Sequence, residues 1–285
     1  MPGETGSEIL NHLNEQQIQA VTTTDGPVLV IAGAGTGKTR VIEHRAAWLI
    51  QQGVSANAIL LLTFTRKAAH NMLQRAKRMD QRAELIQGGT FHSFNLHLLR
   101  QHHFELGFNE NFTVIDPDDS RDVIEKSVRS LGLRDSRGYN FPQSKTLQRV
   151  FGHAMNNALP LKKSLTALAP DYLKLEETIK QVRDAYQKSK MDRNYIDFDD
   201  LLLYANLLLE DHPHILQALQ KRYSYIMVDE YQDTNLAQAT LIKLIGNAEV
   251  LTASHNVMVV GDPSQSIYGF RGARYLNIME FEQDW

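Results

Sequence analysis

Four short apolar runs punctuate the chain: Val28 to Ala32, Ala58 to Phe64, Tyr225 to Asp229 and Val257 to Gly261. Each is followed by a loop and a helix-like stretch. That alternation predicts a parallel α/β sheet. From about Pro117 to Tyr195 the strand signal disappears and the periodicity becomes helical, as in Ser120 to Leu131 and Tyr172 to Ser189. Asp116-Pro117 reads as a helix start, with Asp at the cap and Pro in the first turn. The pattern therefore predicts an α/β domain with a helical insertion. The alternative is that these helices pack on the same sheet.

Two of the runs end in residues that carry chemistry. Val28 to Ile31 leads into Ala32-Gly-Ala-Gly-Thr-Gly-Lys-Thr39 and then an amphipathic stretch from Arg40 to Ile50. Glycines let backbone N–H groups converge on phosphate oxygens at a helix start, where the helix dipole also favours anions. Residues Gly33, Ala34, Gly35, Thr36 and Gly37, with Lys38, Thr39 and Arg40, are thus the predicted nucleotide-binding loop. Lys38 is placed to hold the β and γ phosphates and Thr39 to ligate Mg²⁺. The strict pattern wants glycine at Ala32, and the preceding strand and following helix supply the context that restores the reading.

Asp229 and Glu230 close the run that starts at Tyr225, the strand end where open α/β sheets bind ligands. Asp229 is predicted to bind Mg²⁺, and Glu230 to act as general base on the attacking water. Asp197, Asp199 and Asp200 could pass for a metal cluster, but an acidic first turn of an amphipathic helix is the simpler account.

Composition narrows the class. With 285 residues, 42% hydrophobic and 22% charged, the chain can bury a core and is long enough for about two domains. It has no cysteine, which rules out disulfides, thiol nucleophiles and cysteine metal sites. The polar, acidic N-terminus and the lack of a long apolar run point to a cytoplasmic location. The net charge of −3 means that any nucleic-acid contact must come from local groups.

Six segments in order resemble the motifs of UvrD/Rep/PcrA-type superfamily 1 DNA helicases. They are Leu13 to Val21, Ala32 to Thr39, Thr63 to Ala69, Gly89 to Phe94, Asp229 to Asn235 and Gly261 to Ala273. Departures are Arg66, where many relatives have Asn, and Pro263 and Ser264, where they have acids. The resemblance implies a RecA-like P-loop NTPase domain over residues 1–116 and 196–285, with an inserted all-helical domain over 117–195. It further implies ATP and Mg²⁺ as cofactors, single-stranded or partly duplex DNA as partner, and 3′–5′ movement along single strands.

By the same resemblance Gln17 reads the adenine edge, and Gln265 reaches the γ-phosphate or its attacking water and couples nucleotide state to DNA. Phe64, Thr65, Arg66, His92, Tyr268, Phe270 and Arg271 are the implied DNA-binding residues, the aromatics as faces on which bases stack. Thr63, Ser93, Phe94, Lys67 and Arg274 lie in the same implied groove. A second RecA-like domain, with arginines that reach the γ-phosphate, has no counterpart in these 285 residues. The chain is therefore expected to bind MgATP, to bind single strands weakly, to hydrolyse slowly and not to unwind DNA alone. No apolar stripe calls for an obligate partner, and a monomer is expected. Two other readings stay open. One is a natural short DNA-binding or regulatory module that holds ATP without hydrolysis. The other is a different phosphate-loop enzyme such as a kinase, in which Gln265 and the Phe-bearing motifs have no task.

Overall fold

A computed structural model of the chain describes residues 5–133, 141–247, 256–265 and 276–285. Its strands are β1 (Val28–Ile31), β2 (Ile59–Thr63), β3 (Gln87–Thr90), β4 (Thr113–Val114), β5 (Tyr195–Ile196), β6 (Tyr225–Val228) and β7 (Val257–Gly261). Five of them form one parallel sheet in the order β1-β7-β6-β2-β3. The inner strands β2 and β7 are buried along their whole length, and β6 along all but its first residue. A parallel strand covered on both faces needs an unbroken apolar run, which is what these segments supply. The register sets Val30 of β1 beside Val260 of β7, and Val228 of β6 beside Val259. The strand ends that carry the phosphate loop, the two carboxylates and Asp262 thus share one edge of the sheet.

The fifth strand, β3, has no counterpart in the apolar pattern. Its residues are Gln-Gly-Gly-Thr, and neighbours take the place of its side chains. A Cβ on Gly88 would fall 2.7 Å from Leu73 Cδ1, and one on Gly89 would fall 2.6 Å from Ser93 Oγ. Packing thus overrides the low strand propensity of glycine here.

The core of this unit joins the helices Lys38–Gln51 and Arg66–Met79 to the sheet through Val41, Ile42, Leu49, Met72, Ile59 and Met258. The unit comprises Met1–Phe94, Leu209–Thr234 and Gln238–Trp285. A second compact unit comprises Asn95–Leu208 with Asn235–Ala237. It is wider than the 117–195 stretch picked out by periodicity at both ends, taking in part of the Phe91–Gln101 helix before it and of the Phe198–Asp211 helix after it.

The second unit is built from helices Pro117–Ser130, Ser144–Asn156, Leu161–Leu168 and Glu176–Asp192 around Ile124, Val150, Leu165, Ile179 and Val182. Asp116 caps the first of these, its Oδ1 accepting from the N–H groups of Asp118 and Asp119 at 2.8 and 2.9 Å. Asp197 and Asp200 form a reciprocal cap at the start of the Phe198–Asp211 helix, each carboxylate accepting the other's N–H at 2.9 and 3.0 Å. Lys190 Nζ lies 2.5 Å from an oxygen of each. These acids thus cap a helix and hold a lysine. Among the described residues no group of three or more His, Asp or Glu is arranged to hold a metal ion, and no helix is long and apolar enough to cross a membrane.

Candidate active site

The loop after β1 owes its shape to two glycines in the left-handed region, Gly35 at φ 74° and Gly37 at φ 89°. Residues 33–36 are exposed. Gly37 sits at the N-cap of the Lys38–Gln51 helix, and no side chain caps that helix. Its first-turn N–H groups are therefore left for an anion. Gly37 is needed twice, since a Cβ there would also meet Gln17 Nε2 at 2.9 Å.

Gln17 is held from both ends. Its Oε1 accepts from Asn14 N–H at 3.0 Å and its Nε2 donates to the Thr36 carbonyl at 2.9 Å. It is thus a brace on the phosphate loop. One amide hydrogen and one oxygen lone pair remain for a base edge. Arg45, fully buried, donates to the Ala20 carbonyl at 2.9 Å and to that of Thr23. It ties the C-terminal end of the Gln17 helix, Glu15–Thr22, to the Lys38–Gln51 helix.

Lys38 is only 8% exposed, and its Nζ makes no hydrogen bond, lying 3.8 Å from Asp262 Oδ2. Asp229 is 3% exposed, with Oδ1 also lacking a hydrogen-bond partner. Burial, and then the charge of Glu230, push the Asp229 carboxyl up to about 7. A buried ammonium that makes no hydrogen bond and a buried carboxyl oxygen that accepts none, at the ends of neighbouring elements, fit a phosphate and a divalent cation. Loop, lysine and carboxylate therefore suit MgATP.

Glu230 follows in the left-handed region, φ 52° and ψ 44°, which costs a residue with a Cβ roughly 1–3 kcal/mol. Its Oε2 accepts from Gln232 Nε2 at 2.7 Å. Gln232 Oε1 in turn accepts from the Asp262 N–H at 2.9 Å. Asp262 accepts from Ser264 N–H at 3.0 Å and Ser264 Oγ at 2.6 Å, and also from Gln265 Nε2. Those bonds, the Ser264 hydroxyl first, hold the Asp262 carboxyl below its usual range. Gln265 is thus turned onto Asp262 here.

Thr39, Asp229, Glu230, Gln232 and Gln265 line an open cavity of about 480 Å³, continued by Phe64, Thr65 and Arg75. Glu43, buried on the Lys38–Gln51 helix, also faces it and pairs with Arg75 at 3.2 Å. Burial raises the Glu43 carboxyl despite that partner.

The implied DNA residues scatter more. Phe64 sits edge-on to Phe91 with centroids 6.5 Å apart. Thr65 caps the Arg66–Met79 helix through Ala68 N–H at 3.1 Å, with Arg66 and Lys67 exposed in its first turn. His92 is half-buried, and burial lowers its pKa. Ser93 Oγ is engaged with the Thr90 backbone, Thr63 is buried in β2, and Phe94 is 6% exposed against Tyr223. Those three have structural surroundings of their own. Tyr268, Phe270, Arg271 and Arg274 lie outside the described residues. Arg40 is exposed on the Lys38–Gln51 helix.

Sequence reasoning does not find Gln232, Asp262, Glu43 or Arg45. Each has a partner remote in the chain, which spacing does not signal, although Gln232 lies inside the motif at 229–235 and Asp262 inside that at 261–273.

The ATP-dependent DNA helicase PcrA of Staphylococcus aureus (strain Mu50 / ATCC 700699) is 40% identical over 282 residues, covering 97% of this chain and 37% of its own length. That of Staphylococcus epidermidis (strain ATCC 12228 / FDA PCI 1200) is 39% identical over 285 residues, with the same coverage. The chain thus spans a little over a third of the length of these curated relatives. The UvrD/REP helicase N-terminal domain matches residues 13–285, and the chain belongs to that family.

Proposed function

We propose that this chain is the ATP-binding portion of an ATP-dependent 3′–5′ DNA translocase or helicase acting on single-stranded DNA in the cytoplasm. The observation that carries the reading is the pair of buried atoms without a hydrogen-bond partner, Lys38 Nζ and Asp229 Oδ1, beside an uncapped helix start on a glycine loop. Bound MgATP supplies the phosphoanhydride whose cleavage drives movement. Lys38 and the loop amides neutralise phosphate charge, Thr39 and Asp229 hold the cation, and Glu230 takes a proton from water. Gln17 orients the base, and Gln265 carries nucleotide state toward Phe64, Thr65, Arg66 and His92, with Tyr268, Phe270 and Arg271 completing the DNA contacts.

Among the described residues lining the cavity, the guanidinium is that of Arg75, already paired with Glu43. An arginine aimed at the transferring phosphoryl group is worth roughly 10³–10⁵ in turnover. We therefore propose that residues 1–285 alone bind MgATP, hydrolyse it slowly, hold single strands weakly as a monomer and do not unwind. The domain division proposed is a RecA-like unit interrupted by the helical one.

The test is calorimetry with MgATP alongside phosphate release with and without single-stranded DNA. Lys38→Ala should abolish binding, and Glu230→Gln should keep binding while removing residual turnover. Fast DNA-stimulated turnover by the wild-type chain would overturn the incompleteness, and absence of MgATP binding would overturn the whole reading.

A further inference from the structure

Gln232 occupies the turn Tyr231–Asp233 directly after the two site carboxylates and is 1% exposed. It is an uncharged amide among acids. Its Nε2 donates to Glu230 Oε2 at 2.7 Å and approaches Asp233 Oδ2 at 3.5 Å, while its Oε1 accepts from the Asp262 N–H at 2.9 Å. The two bonds lead to different strand ends, β6 through Glu230 and β7 through Asp262. Gly261 is shaped around this amide, since a Cβ there would fall 2.6 Å from Gln232 Oε1 and 3.3 Å from Gln232 N. Asp262 in turn holds Gln265 and faces Lys38.

A carboxylate that takes a proton from water must present one oxygen in a fixed direction. Glu230 stands on a left-handed backbone, its side chain makes no capping hydrogen bond to the following turn, and one of its oxygens is anchored by Gln232. We propose that Gln232 is a positioning residue for ATP hydrolysis: it orients the Glu230 carboxylate and ties that orientation to the Asp262–Gln265 segment. The inference rests on the ATP-hydrolysis reading above. It predicts that a shift of residues 262–265 reaches the general base through one amide.

Two variants separate positioning from bracing. Gln232→Glu keeps an oxygen for the Asp262 N–H but sets a carboxylate against Glu230, while Gln232→Leu removes both bonds at similar volume. Each is compared with wild type in MgATP affinity by calorimetry, in single-turnover release of labelled phosphate with chain in excess, and in exchange of the Asp262 amide hydrogen by NMR.

The expected result is unchanged MgATP affinity in both, a release rate lowered by about 10- to 100-fold in both, and Asp262 exchange accelerated by about tenfold in Gln232→Leu alone. A Gln232→Glu variant that hydrolyses like wild type would overturn the proposal, leaving Gln232 as a brace for Asp262. So would a parallel loss of affinity and rate in both variants. Wild-type chain that fails to bind MgATP, or binds it and releases no phosphate, would remove the underlying reading and this inference with it, an outcome visible before any variant is made.

Discussion

Lys38 Nζ stands 3.8 Å from Asp262 Oδ2, with both side chains 8% exposed. The ammonium that awaits phosphate thus faces a resident anion on the neighbouring strand end. The distance is too long for a hydrogen bond, so the attraction is Coulombic and must be given up when phosphate arrives. Asp262→Asn removes the competing charge. The nucleotide-free variant should melt below wild type, because Lys38 is left buried without a counter-charge, and should bind MgADP several-fold more tightly. Calorimetry and a melting curve on the same samples check both signs, and weaker nucleotide binding with unchanged melting would contradict the account.

Gly37→Ala should be costly in two ways. An alanine at φ 89° meets the left-handed penalty of roughly 1–2 kcal/mol. Its Cβ would also press on Gln17 Nε2 at 2.9 Å, displacing the brace on the Thr36 carbonyl. Urea unfolding should show the stability loss, and MgATP binding should fall with it. By contrast, Gly53→Ala, also at positive φ but with open space around its Cβ, should lose stability and keep nucleotide affinity.

The apolar pattern is sufficient for β2, β6 and β7 because each is an apolar run that the sheet needs buried, and for the partly exposed edge strand β1 because its run is equally unbroken. It is silent on β3, where Leu73 and Ser93 supply the bulk that Gly88 and Gly89 lack. The sequence likewise puts Lys38 at a helix start and Asp229 and Glu230 at a strand end, where the structure has them, because glycine loops and strand-terminal acids are local signatures. Gln232 and Asp262 are not legible. Their partnership depends on β6 and β7 being neighbours with Val228 beside Val259, a register no local pattern states. Thr63, Ser93 and Phe94 show the converse, since a motif position alone does not state burial: Thr63 and Phe94 are buried and Ser93 is exposed.

Gln17 invites a selectivity test. Its amide nitrogen bonds Thr36 O and its oxygen bonds Asn14 N–H, leaving one donor and one acceptor for an adenine edge. Gln17→Ala should weaken ATP by about tenfold, the value of one or two hydrogen bonds, and should weaken GTP less. Competition between the two nucleotides measures the ratio. Equal losses would show that Gln17 only braces the loop.

The buried lysine of the helical unit gives a pH-dependent prediction. Lys190 Nζ touches Asp197 and Asp200 at 2.5 Å, lies 4.3 Å from the Tyr186 ring centre, and Tyr186 OH donates to Asp197 at 2.6 Å. Two acids share one cation. Burial, and then the charge of Asp197, push Asp199 and Asp200 up to about 6. A carboxyl raised on folding binds its proton more tightly in the native state, so stability falls as pH rises from about 4 through about 6. Lys190→Met keeps the stem but removes the cation, leaving Asp197 and Asp200 buried and uncompensated. The expected cost is roughly 3–5 kcal/mol near pH 7. It should shrink toward pH 5 as Asp200 takes up a proton, and Lys190→Met with Asp200→Asn should recover part of it. Urea unfolding at both pH values decides the matter. A cost that is the same at each pH would mean that lost packing on Tyr186, and not stranded charge, is what Lys190 prevents.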